Sequence, residues 1–353
     1  MSLSFSLHVA STPLSSIRLL VRDMWPDIVN GLDLSKEPQV MEDGTRVASP
    51  HAQAMNALPK TPKLLGSSHK VELQNEELGV LSSVVYLAPD NELFGAGSDD
   101  KRTTCPHASE ECSALCLGHK SGRMIMSPNK RARLWKAALF FGARDLFTAL
   151  LIKEARALSD KATKLGKLGA LRVDGSSDTG LGQKLSSLFY EEGLNLRLWD
   201  YTKSISRVKS SRETLDREGW YAAPSGSFTG GGSYSLTFSY SGYNLDDCRV
   251  ALELGFPVAV VFDTPKGEAL PDAWERYPVI DGDVLDQRFF DRRNLGAPQS
   301  GGYIVGLRLK SATDRAQAIE TGARFVVDAK EAQAIADHGL IHESLCTPHL
   351  LNW

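Results

Sequence analysis

The sequence predicts an α/β fold: a (β/α)8 TIM-like barrel, complete or partial, with an N-terminal extension. Three observations lead there. About eight short segments rich in β-branched and aromatic residues follow residue 80, separated by helix-patterned or long crossover stretches, and repeating βα units imply a parallel sheet. One segment, Pro257-Val-Ala-Val-Val-Phe262, is apolar throughout, as strands buried on both faces are. No glycine-rich dinucleotide fingerprint follows the early strands, which ranks an open doubly wound sheet second.

At 353 residues and 42% apolar content, the chain can bury the core of one such barrel or of two modest domains. Residues 1–65 form the extension. Within it, Ser15 to Val29 carries Ile17, Leu20, Val21, Trp25 and Ile28 at helical spacing, and the stretch through Asp43-Gly44, Pro50, Pro59 and Pro62 reads as loop. Residues 66–330 are assigned to the barrel. Its strand segments are Val84–Leu87, Ala170–Val173, Leu194–Trp199, Tyr234–Phe238, Pro257–Phe262, Tyr277–Ile280, Tyr303–Leu307 and Arg324–Val327. Ser127-Pro128 opens a helix, because serine caps well and proline is tolerated in the first turn; Gly142 interrupts it, and a second helix runs from Leu146 to about Leu158. Asn244 to Gly255 is a third, with Asp246 and Asp247 facing the positive end of its dipole and Gly255 ending it. Residues 331–353 form a C-terminal helix and tail.

No run approaches the roughly 20 apolar residues that span a bilayer, and residues 1–8 lack the charged and apolar regions of a signal peptide. A cytoplasmic location without a membrane partner is expected. The net charge of −3 is uninformative, but its distribution is not. Residues 101–172 hold 15 Lys or Arg against 5 Asp or Glu. Such a block is either a face for nucleic-acid phosphates or the solvated side of two helices.

Three of the five cysteines lie within Thr104–Gly118, at spacing Cys105-x6-Cys112-x3-Cys116. Soft thiolates clustered on one polar loop suit an iron–sulfur cluster, zinc or copper(I) rather than a disulfide framework. Three thiolates can hold three corners of a 4Fe-4S cubane and leave one iron open. Zinc is the alternative and would need a fourth ligand, with His107, His119, Cys346 and His349 as candidates. Cys248 falls among apolar helix residues and reads as core. Radical S-adenosylmethionine barrels also place three cysteines after their first strand. Their Cys-x3-Cys-x2-Cys spacing and Gly-Gly-Glu run are absent here, so S-adenosylmethionine is only a further cofactor option.

Polar residues recur where strand segments end, and in a parallel barrel all such ends meet at one rim. Asp174 and Asp178 follow Val173; Asp200 and Lys203 follow Trp199; Ser239 and Ser241 follow Phe238. Asp263 and Thr264 follow Phe262; Asp281, Asp283, Asp286 and Arg288 follow Ile280; Lys310 follows Leu307. Each one alone is an ordinary cap or turn former. Together they suggest a site with Lys203, Asp178, Asp200 and Asp283 as catalytic candidates: the carboxylates for a hard metal or hydroxyls, the lysine for acid–base, Schiff-base or phosphate chemistry. A small molecule or nucleotide is the expected substrate. No Gly-x-Ser-x-Gly elbow, P-loop or His-Glu-x-x-His helix is present.

The segments Leu64–Ser68, Tyr86–Pro89, Cys105-Pro106 with Ala108-Ser109, Cys112, Cys116-Leu117 and Gly122-Arg123 resemble those of a family of uncharacterised bacteriophage proteins, called gene-product-eighty-eight-like. So do Arg172–Asp178, Asp200–Lys203, Leu236–Ser239, Val258–Phe262, and Val279–Asp283 with Asp286 and Arg288-Phe289, giving coverage from about residue 63 to 328. Two departures are Asp174, where the family usually has Asn, and the charged link Gly118-His-Lys-Ser before Gly122. The resemblance implies a phage origin, the host cytoplasm, and a site built from the cysteine loop and the strand-end motifs. Arg172, Ser177, Thr237, Ser239, Asp281 and Arg288 are the residues those motifs would bring to a cofactor.

Overall fold

In the computed structural model the chain divides into two units, Met1–Tyr201 with Phe228–Ser235 and Thr202–Ser227 with Leu236–Trp353. The structure describes residues 12–40, 44–67, 69–95, 100–114, 116, 126–218, 234–298, 301–309 and 323–337.

The first unit opens with α1 (Leu14–Asp23), α2 (Trp25–Asn30) and α3 (Pro50–Met55). The expected single helix from Ser15 is two, because Pro26 lies in the first turn of α2 and has no N–H to continue α1. Ile17, Val21, Trp25, Ile28 and Val29 are buried, and the Trp25 indole donates to the Met55 carbonyl at 3.1 Å. A two-stranded ribbon, Gln39–Val40 with Arg46–Val47, lies between α2 and α3.

Helix α4 (His69–Leu78) leads into β1 (Val80–Val84). This strand starts four residues before the expected Val84–Leu87, because Ser82 masks its apolar alternation; Ser82 is buried and its N–H is satisfied by Asn75 Oδ1 at 3.1 Å. Short α5 (Glu110–Ala114) lies in the cysteine loop, and α6 (Ser127–Gly142) and α7 (Arg144–Lys164) follow. The cap of α6 is Met126, one residue before the expected Ser127. A Cβ on Gly142 would lie 2.8 Å from Ile28 Cγ2 and 3.0 Å from the Ile28 carbonyl, so the approach of α2 requires glycine there. Strand β2 (Leu168–Arg172) pairs parallel with β1, Val80 opposite Leu168 through Val84 opposite Arg172. Helix α8 (Leu181–Glu191) returns the chain to β3 (Leu196–Thr202), which pairs parallel with β2.

The second unit contains α9 (Ile205–Glu218), most of β4 (Tyr234–Ser239), α10 (Leu245–Glu253) and β5 (Val258–Phe262). Gly255, at φ 84°, ends α10: the Phe256 N–H reaches back to the Ala251 carbonyl at 2.9 Å, as in a Schellman turn. Strands β6 (Ala273–Trp274), β7 (Tyr277–Asp281), β8 (Ile304–Arg308) and β9 (Val326–Val327) follow, and α11 (Ala329–Asp337) ends the described chain. Apolar β5 lies innermost, with β4, β8 and β9 all pairing parallel to it.

The complete eightfold barrel is not found. Barrel strands neighbour their successors in sequence, whereas β8 sits between β5 and the earlier β7. Strand β6 pairs antiparallel with β7 as a hairpin. Among the described residues, the first unit holds β1, β2 and β3 in parallel order, the second holds β4, β5, β8, β7 and β6 in line with β9 beside β5, and no ring closes in either. No described helix is long and apolar enough to cross a membrane.

Candidate functional site

The cysteine loop of the first unit emerges beyond the C-terminal end of β1. Val85 still donates to the Arg172 carbonyl at 2.8 Å, and the chain then turns at Asp90, a non-glycine residue at φ 52°. Left-handed backbone is rare outside glycine, although aspartate tolerates it better than most. Here it is held by hydrogen bonds on every side. Thr103 Oγ1 and Ser113 Oγ each donate to the Asp90 carboxylate at 2.9 Å, one to each oxygen. The Asp90 N–H points at Cys105 Sγ over 3.4 Å, and the Asp90 carbonyl accepts from the Thr104 N–H at 3.0 Å. Buried Thr104 donates its hydroxyl to the Ala88 carbonyl at 2.8 Å.

The loop after β2 packs against this one. Asp178 N–H donates to the Thr104 carbonyl at 2.7 Å, Ser176 Oγ to the Leu87 carbonyl at 2.6 Å, and Cys105 Sγ reaches the Ser176 carbonyl at 3.8 Å. Gly175 is required: a Cβ there would lie 2.5 Å from Val84 Cγ1 and 2.7 Å from the Val85 carbonyl. Asp174, 1% exposed, folds the loop around its own carboxylate, accepting from Ser177 Oγ, Thr179 N–H and Thr179 Oγ1 on one oxygen and Gly180 N–H on the other. Asp200, 0% exposed on β3, accepts the Asp174 N–H at 2.7 Å. A Cβ on Gly182 would come 2.4 Å from Asp200 Oδ2, so the first turn of α8 rests directly on that carboxylate. Two carboxylates therefore face the positive end of α8, the place where a phosphate would otherwise bind.

Of the sequence-predicted residues in this unit, Arg172 ends β2, Asp200 lies on β3, and Ser177 and Asp178 lie in the loop after β2 that packs against Cys105. Arg172 donates to the Asp174 carbonyl at 3.2 Å and lies 4.6 Å above the Tyr201 ring. Cys105, Cys112 and Cys116 are half-buried and in no disulfide; His107 is exposed. Among the described residues, no three His, Cys, Asp or Glu side chains are grouped to hold a metal ion. The donor type fits a cluster, while the described arrangement does not gather the donors. Thiolate sites are commonly assembled by the metal itself. His119, Lys310, Cys346 and His349 lie outside the described residues.

Much of the basic block is used internally. Arg133 is buried against Glu92 at 3.3 Å, Arg102 pairs with Asp100, Arg156 with Glu192 and Lys167 with Glu76, and Arg144 lies over the Phe140 ring. Lys130 and Arg131 are exposed in the first turns of α6.

The remaining predicted residues belong to the second unit. Lys203 is half-buried just past β3. The buried Thr237 hydroxyl has no hydrogen-bond partner among the described residues, and the Ser239 carbonyl accepts from Asn244 Nδ2 at 3.0 Å. Asp281 and Asp283 are joined by Arg308, whose Nη1 lies 2.8 Å from Asp281 and 3.3 Å from Asp283. Those hydrogen bonds, the Asp281 one foremost, hold the guanidinium above its ordinary pKa. Buried Arg288 donates to the Gly282 carbonyl at 3.2 Å and faces Asp291 at 3.5 Å. Asp263 accepts the Ala329 N–H that opens α11. Buried Cys248 has its thiol pushed up to about 12 by burial, as fits a core cysteine.

Sequence reasoning missed Asp90, which fastens the cysteine loop in the first unit, and Arg308, which joins Asp281 and Asp283 in the second. The available signals were weak: an aspartate after Pro89 that suits a turn, and an arginine at a strand end.

A family model described as Gene product 88 matches residues 58–327. Nothing among the curated proteins or the solved structures matches, so the likeness to radical S-adenosylmethionine barrels gains no support. With its family model spanning well over half of its length, the chain belongs to the Gene product 88 family, which is of phage type.

Proposed function

We propose that Cys105, Cys112 and Cys116 hold an iron–sulfur cluster, with 4Fe-4S as the form three thiolates suit best, and that the protein is an enzyme acting on a nucleotide or nucleic acid in the host cytoplasm. The observation that carries this reading is the fastening of the cysteine loop to the ends of parallel strands, through the 2.7 Å bond from Asp178 N–H to the Thr104 carbonyl. That bond, with the contact of Cys105 Sγ to the Ser176 carbonyl at 3.8 Å, supports a site in which Cys105 and the loop carrying Ser177 and Asp178 work together, at strand ends of the kind where α/β proteins place their chemistry. The sequential, parallel order β1-β2-β3 in the first unit supports an incomplete barrel for this region.

A bound cluster would supply a redox-active iron centre with one iron open to a ligand. The protein would supply the surroundings: Asp174 and Asp200 fix the adjoining loop, while Arg172 offers a cation and Tyr201 a ring for a planar or anionic substrate. Protein purified anaerobically from iron-replete cells should be brown, with charge-transfer absorption that Cys105→Ala removes. A colourless, iron-free preparation would refute the reading.

The second reading is a zinc-stapled, non-catalytic nucleic-acid-binding protein, favoured by exposed Lys130 and Arg131 at the start of α6. It predicts steeply salt-dependent binding of DNA or RNA. Absence of binding at low salt would remove it. The internal pairing of Arg102, Arg133, Arg156 and Lys167 leaves it the weaker of the two.

A further inference from the structure

We propose that Asp90 is a positioning residue that clamps the two cysteine-bearing segments of the loop together. This rests on the cluster reading above for its purpose, but not for its geometry. Asp90 Oδ1 takes the hydroxyl of Thr103, two residues before Cys105, and Oδ2 takes the hydroxyl of Ser113, the residue after Cys112, both at 2.9 Å. One carboxylate thus spans the Cys-x6-Cys interval. Thr103 Oγ1 in turn accepts the Cys105 N–H at 2.9 Å, so the grip on Thr103 passes directly to the cysteine backbone.

The conformation of Asp90 serves the same end. Its left-handed turn costs backbone energy, and such strain persists where the surroundings over-determine it. That turn aims the Asp90 N–H at Cys105 Sγ over 3.4 Å. In a loaded centre the same N–H would donate to the Cys105 sulfur, and hydrogen bonds to sulfur are among the determinants of cluster potential. Asp90 touches no reacting atom in this account; it sets where the thiols stand.

The test is alkylation of individual cysteines in the metal-free, full-length protein, followed by mass spectrometry, with buried Cys248 as the internal control. Loss of a hydrogen bond of ordinary net strength should raise exposure of the released thiol roughly fivefold. Asp90→Ala should accelerate Cys105 and Cys112 together, Thr103→Val only Cys105, and Ser113→Ala only Cys112. Added to Asp90→Ala, Ser113→Ala should have little further effect, because it shares that partner, whereas Thr103→Val also removes the acceptor of the Cys105 N–H and should add a further acceleration of Cys105 alone. Unchanged rates in Asp90→Ala, or full additivity of Ser113→Ala with Asp90→Ala, would overturn the clamp. So would equal acceleration of Cys248 in both Asp90→Ala and the gentler Asp90→Asn, which would make Asp90 a general folding residue.

The wild-type protein and Asp90→Asn are then loaded with iron and sulfide anaerobically. A shifted reduction potential in Asp90→Asn is expected. If wild-type protein takes up no iron while the alkylation pattern holds, the clamp stands and the cluster reading falls.

Discussion

The main-chain N–H of Asp174 donates to the side chain of Asp200 over 2.7 Å, between two residues that are almost wholly buried. This bond joins the ends of β2 and β3 and sets the floor under the first turn of α8. Asp200→Ala should therefore lose about 1–3 kcal/mol, the cost of a stranded buried donor, and Asp200→Asn should recover part of it. Gly182→Ala should cost a similar amount, roughly 1–3 kcal/mol, by overpacking against the same carboxylate. The two alanine substitutions together should cost less than their sum, since one vacates the space the other fills. Urea unfolding of the singles and the double checks this.

Glu154 stands at the junction of the N-terminal helices with α7. It is 3% exposed, takes Arg18 at 2.7 Å on one oxygen, and takes the Leu64 and Leu65 N–H groups at 2.9 Å on the other. Glu154→Ala should destabilise the protein by about 3 kcal/mol, because two buried backbone donors and a partly buried cation lose their acceptor at once. Glu154→Gln, which keeps one good acceptor, should fall between it and wild type in thermal unfolding.

Lys136 carries a pH signature. It is 6% exposed on α6, and burial depresses its ammonium from 10.5 to about 8, with Glu154 opposing the shift. Below pH 8 the folded and unfolded states are both protonated, and folding bears the full cost of the buried charge. Between about 8 and 10.5 the unfolded chain binds the extra proton, so the lysine's contribution to stability rises with pH. A displacement of this size corresponds to about 3 kcal/mol. Lys136→Met should be more stable than wild type at pH 7, and its advantage should shrink as pH rises above 8. Paired urea curves across that range test it; an advantage constant with pH would count against the buried charge.

These residues also show what the sequence made legible. Apolar β5 and the Asn244–Gly255 helix were readable because burial on both faces, helical spacing and a terminating glycine are all local signals. The start of β1 was not, because Ser82 breaks its alternation and its main-chain N–H is satisfied by Asn75, a partner that periodicity does not reveal. The position of β8 between β5 and β7 was hidden for the same reason, since pairing across a crossover leaves no mark on either segment. At the site, the cysteines and the carboxylates after each strand stood out by type. Their roles did not: Asp174 and Asp200 turn inward to hold backbone, while Asp90 and Arg308 organise their neighbours from positions that read as turn and strand end.

Arg308 gives a further prediction, in the second unit. Its guanidinium bridges Asp281 and Asp283, and a Cβ on Gly282 between them would lie 2.4 Å from Val305 Cγ1. Arg308→Ala should cost about 1 kcal/mol at low salt, kept small by the solvent that reaches Asp281, and less at high salt as the two carboxylates are screened. Gly282→Ala should cost about 1–3 kcal/mol regardless of salt, because its cause is steric. Chemical denaturation at two ionic strengths separates the two.

The central claim is that three thiols of one loop share an inorganic centre, and the most direct measurement is iron and acid-labile sulfide per chain in protein reconstituted without oxygen. Wild type should bind both in near-equal amounts, and Cys105→Ala, Cys112→Ala and Cys116→Ala should each lose most of them, while Cys248→Ala should not. Iron and sulfide at background level in wild type, or retained in full by all three variants, would contradict the account.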